Sequence, residues 1–122
     1  MKRAAVASAA ALALALFGAT QIAHATWIHA RALVAQELIA FAWKRAQASG
    51  AAPRPWPGAD WRPVARISVP AHGVAVFVLD DAHALALSYG PAHLAGTAAP
   101  GAMGNSVVVA HRDTHFAFLR HA

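Results

Sequence analysis

An apolar N-terminal helix, a stalk helix and then a mainly-β domain is the architecture the sequence predicts, and three observations carry it. From Ala4 to Ala30 the chain has no Asp, Glu, Lys or Arg, and Lys2 and Arg3 precede this run. Four prolines, Pro53, Pro55, Pro57 and Pro63, then punctuate a short segment that also holds Trp56 and Trp61. Beyond Pro63 the apolar period changes from the helical one to strict alternation.

A basic start before an apolar stretch is the pattern of an export signal, and Ala23-His24-Ala25 offers small residues for cleavage. The charge-free run also exceeds the roughly 20 residues that cross a bilayer. Leu12, Leu14, Leu16, Phe17 and Ile22 supply the partitioning, and Trp27 and His29 suit the interface. An uncleaved signal-anchor over 1–30 is the favoured reading, with Lys2 and Arg3 on the cytoplasmic side. Residues 31–49 read as a stalk helix through Leu33, Val34, Leu38, Ile39, Phe41 and Trp43, with Gly50 as its stop. Residues 50–63 form an extended Pro/Trp-rich connector whose tryptophans pin it to the domain.

The domain itself is expected over 64–122. "VARISVP" alternates, placing Ala65, Ile67 and Val69 on one face, and Pro70 ends it. "GVAVFVLD" is a fuller apolar strand, and "DDAHALALS" a short helix capped by an aspartate. "YGPAHLAGTAAPGAMGN" reads as loop, and "SVVVA" as a third strand with His111 at its end.

Composition narrows the chemistry. The ten Lys and Arg are scattered, with Lys2-Arg3 and Lys44-Arg45 the only adjacent pairs, so no basic stripe points to nucleic acid. With no cysteine, disulfides and thiolate metal sites are excluded within these residues. His111 and His115 have metal-chelating spacing on a helix, but Arg112 stands where a zinc-protease motif needs Glu. On a strand the two rings would lie too far apart for joint ligation, so no metal and no cofactor is expected. "HRD" also matches a kinase catalytic loop, but Phe118 occupies the position that needs Asn. Two readings of His111 remain: a surface histidine at a strand end, or a catalytic imidazole carried by that end, able to take a proton from a thiol or hydroxyl or to stabilise a thiolate.

From Arg62 onward the chain resembles the sortases, in particular the Gram-negative, proteobacterial type. Pro100, Gly101, Gly104 and Asn105 match a Pro-Gly-x-x-Gly-Asn turn, Val107 to Val109 the following strand, and His111 to Phe116 the His-Arg-Asp-Thr-His-Phe run of that subgroup. The resemblance implies the first part of an eight-stranded β-barrel and a membrane-anchored cysteine transpeptidase. Such enzymes cleave a sorting motif near the C-terminus of a substrate protein through a thioester, then pass the acyl group to an amine. It makes His111 the catalytic histidine, with Asp113 and His115 as loop-positioning residues and His93 lining the groove. It also implies residence in the inner membrane, single-pass, with the domain on the periplasmic side.

The chain departs from the family pattern in two ways. Ala110 replaces the glycine before the histidine and adds a methyl group beside the groove. The catalytic cysteine and its arginine do not occur among the 122 residues, and Arg112 is not that arginine. The expectation is therefore an inactive N-terminal part of a sortase with unpaired strand edges. The alternative is a membrane-anchored binding module without catalysis.

Overall fold

The computed structural model describes residues 1–51 and 53–121; Ala52 of the connector and Ala122, where the domain was expected to end, lie outside them. The chain divides into two compact units, Met1–Val34 and Ala35–Ala122. One helix, α1 (Lys2–Ser49), contributes to both, so the anchor and stalk segments are continuous helix.

In the first unit α1 is apolar on every side. Leu12, Leu14, Leu16, Phe17 and Ile22 are all at least 60% exposed. A helix apolar all round has no water-facing side and suits a lipid surround. It is the one helix among the described residues that is long and apolar enough to span a membrane.

In the second unit the last turns of α1 pack through Ala35, Ile39 and Ala42, which share one face at helical spacing. This corrects the larger stripe expected from the sequence: Leu33 and Phe41 are 71% and 59% exposed. The helix stops as anticipated, with Gly50 at φ 77°, a left-handed turn that costs glycine least.

The connector folds against the core. Trp61 is 1% exposed and clusters with Ile39, Ala59, Leu79, Ala86 and Ala92, while Trp56 and Tyr89 pack on its margin. The three rings contact one another with centroids 5.0 to 5.4 Å apart, two of the contacts edge-on, the arrangement aromatic quadrupoles favour. His83 lies between two carboxylates, 3.4 Å from Asp60 of the connector and 3.4 Å from Asp81.

Four strands form an open mixed sheet in the order β1-β2-β3-β4. Strands β1 (Pro63–Val69) and β2 (Val74–Leu79) make an antiparallel hairpin joined through a 3-10 turn at Pro70–His72. Pro63 thus belongs to the first strand rather than the connector. Proline is tolerated there because β1 is an edge strand and Pro63 is its first residue. The expected alternation is present, with Ala65, Ile67 and Val69 less exposed than Val64, Arg66 and Ser68.

Helix α2 (Ala84–Leu87) carries the chain back to β3 (Ala92–His93), which pairs parallel with β2 at Leu79↔Ala92. Its N-cap is His83, with no side-chain cap hydrogen bond, so the expected aspartate cap is corrected. Asp80 instead accepts the Arg62 N–H at 2.8 Å, and its own N–H donates to the Arg62 carbonyl at 2.9 Å. The backbone groups that open β1 are satisfied in this way. Strand β3 lies in a segment expected to be loop, and the third predicted strand shortens to β4 (Val108–Val109), antiparallel to β3.

Candidate active site around His111

The loop from His93 to Val107 sets where β4 emerges. Thr97 Oγ1 donates to the Leu94 carbonyl at 2.8 Å, so it must accept from the Val107 N–H at 3.2 Å and from His93 Nε2 at 2.9 Å. The ring proton of His93 therefore sits on Nε2, where the Ala98 carbonyl, 2.9 Å away, shares it. His93 is thus a staple of this loop. The Ala98 N–H closes the same loop on the Asn105 carbonyl at 3.1 Å.

Gly104 resists exchange both by its backbone angle and by a close neighbour. Its φ is 121°, and an added Cβ would lie 3.1 Å from the Cβ of Ala98. Gly104→Ala is expected to cost about 1–3 kcal/mol of stability, read as a lowered unfolding midpoint.

His111 lies two residues beyond β4 and is exposed. The chain turns back on itself there: the His111 carbonyl accepts the N–H groups of Thr114 and Phe116, each at 3.3 Å. This corrects the expectation that an extended strand keeps His111 and His115 apart. The turn brings them within electrostatic reach, because a charge on His111 disfavours one on His115. His115 is partly buried and hydrogen-bonded to the Ser88 backbone.

Burial lowers the His115 pKa from its ordinary 6.5; the Ser88 hydrogen bond opposes that shift and the neighbouring His111 adds to it. The neutral ring is therefore the one that fits the fold. A depressed histidine pKa means that the unfolded chain binds the proton first, so stability present above 6.5 falls as the pH drops through and below that value. His115→Gln is expected to flatten this part of the stability–pH curve, measured by thermal unfolding across pH 5 to 8.

Beyond the turn, a 3-10 segment at Ala117–His121 packs its rings together, Phe116 against Phe118 and His72 against Phe118. Asp113 pairs with Arg120 and lies 3.6 Å from Arg112, tying the turn to that segment. His121 is exposed. Ala110, Arg112, Phe116, Leu119 and Arg120 line a cleft of about 540 Å³. Two of these residues flank His111 in sequence, and the cleft combines apolar walls with two guanidinium groups.

Ala110 contributes one methyl group to that wall. Among the described residues no non-glycine residue has positive φ, so the backbone before His111 adopts a conformation any residue can hold. Also among the described residues, no three His, Cys, Asp or Glu side chains converge as metal ligands. The structural pairing of His111 with His115 was missed from sequence because only the turn geometry creates it.

Residues 67–122 match the family model described as Sortase domain, which supports placement in the sortase family. No curated protein and no solved structure matches the chain.

Proposed function

We propose, taking the sortase-domain match as premise, that His111 is the histidine of a cysteine transpeptidase of the Gram-negative sortase type. Its exposed position on a turn between two cleft-lining residues carries the proposal. A cysteine thiolate attacks the carbonyl carbon at the scissile bond of a sorting motif, and the imidazolium of His111 protonates the departing amine. The resulting thioester is attacked by an acceptor amine, which gives up its proton to His111 as the thiolate leaves. An arginine stabilises the oxyanion at each step.

His111 is the exposed member of the histidine pair, whereas burial holds His115 toward the neutral form. Residues 63–122 are then the opening part of an eight-stranded barrel, 50–62 its connector and 31–49 its stalk. The single apolar helix sits in the inner membrane with the domain on the periplasmic side, facing a substrate protein that bears a C-terminal sorting motif. No nucleic acid, metal or cofactor takes part in this reading.

None of the 122 residues is cysteine, so the thiol comes from outside them. The chain by itself is therefore inactive, and a binding role without catalysis is the second reading that this composition favours. The test fuses residues 1–122 to a cysteine- and arginine-bearing remainder of a sortase domain and follows cleavage of sorting-motif peptides. Thioester formation, trapped by hydroxylamine, is expected for the fusion and not for the 122-residue chain. Cleavage by the cysteine-free chain would overturn the reading.

A further inference from the structure

A second cleft, of about 410 Å³, lies between α1 and the β1–β2 hairpin, wholly within the second unit. Its walls come from two independent alignments. Ala40, Trp43, Lys44 and Gln47 follow one another at helical spacing and share one face of α1. Arg66 and Phe77 are direct cross-strand partners and share one face of the hairpin. Trp43 and Phe77 meet with centroids 6.1 Å apart and planes tilted by 50°, forming an aromatic corner.

The charge around this corner is of one sign. Lys44 and Arg66 line the cleft, and no acidic residue does. The aspartates are engaged elsewhere: Asp60 and Asp81 face His83, Asp80 holds the Arg62 N–H, and Asp113 binds Arg112 and Arg120. Glu37 lies on α1 one turn before Ala40 and outside the lining. None of the ion pairs among the described residues includes Lys44 or Arg66. The cleft has the size of small-ligand sites, roughly 300–1,000 Å³.

We infer that this cleft binds an aryl carboxylate: a planar apolar ring seated against Trp43 and Phe77, with its carboxylate between Arg66 and Lys44. The planar fork of Arg66 matches a carboxylate with two parallel N–H donors, Gln47 offers an amide donor beside it, and the ring faces supply contact area. The site is separate from the residues around His111 and does not depend on the sortase reading.

The test titrates the full chain in detergent micelles with indole-3-acetate, reading the Trp43 indole N–H and Arg66 Nε–H resonances by NMR. A dissociation constant on the order of 1 mM is expected for a ligand of this size. The neutral analogue indole-3-acetamide should bind about fivefold more weakly, as should the carboxylate to Lys44→Gln or Arg66→Gln, matching the upper range of solvent-exposed ion pairs. Acetate, lacking the ring, should leave Trp43 unmoved. Equal binding of acid and amide would overturn the proposal, as would unchanged affinity in both charge variants. So would the absence of any Trp43 shift at tenfold the expected dissociation constant, given that the Trp56 and Trp61 resonances report a folded domain.

Discussion

Replacing Trp61 by alanine is expected to remove about 3–5 kcal/mol of stability from the second unit. Trp61 is 1% exposed and is the largest fully buried side chain of the core. It contacts Trp56 and Tyr89 and so joins three parts of the chain: the connector, the sheet and the segment that follows α2. A cavity at this junction could not close by a local shift, because connector and sheet would have to move together. Small domains have only about 5–15 kcal/mol in total, so the variant should show a strongly lowered melting midpoint and loss of the near-ultraviolet aromatic signal. Trp61→Phe should lose less. Trp27→Ala is the matched control: that ring is 65% exposed, and the midpoint should stay in place. An unchanged midpoint in Trp61→Ala would mean that the connector does not pack on the domain.

Large side chains and strict periods were what the sequence made legible. The apolar run, the helix stop at Gly50, the hairpin alternation and the pinning of the connector by Trp61 all follow from residue type and spacing. Alanine hid the rest. The stalk packs through Ala35 and Ala42, whereas the more hydrophobic Leu33 and Phe41 stay exposed. A residue this small carries almost no signal for which face of a helix is buried. Strand β3 has two residues, too few for any period to register. The aspartates before α2 have the chemistry of an N-cap, but other partners took them, the distant Arg62 N–H for Asp80 and the nearby His83 for Asp81.

At the site, the motif from His111 to Phe116 located the histidine, and its β-branched approach suggested continued strand. The turn closed by the His111 carbonyl is the feature that sequence alone did not reveal. Turns of this kind are set by where the next segment packs, here the ring cluster of Phe116, Phe118 and His72. The same packing draws His115 toward Ser88 and partly buries it.

His111→Ala in the cysteine-completed fusion is expected to lower kcat/KM for sorting-motif cleavage by roughly 10³-fold, within the 10²–10⁴ range of general acid–base catalysis. The loss should appear chiefly in kcat, because the exposed ring is proposed to act on the leaving amine and not to hold substrate in the ground state. His115→Gln separates this chemistry from simple disturbance of the turn. If His115 only positions, the variant should keep most of kcat. Alanine at His111 should leave the melting midpoint nearly unchanged, because the ring is exposed and packs little. Full turnover in His111→Ala would remove the histidine from the mechanism, whatever the family of the domain. Loss of turnover together with loss of the fold would trace instead to the backbone turn at His111, which Thr114→Ala can probe without touching either imidazole.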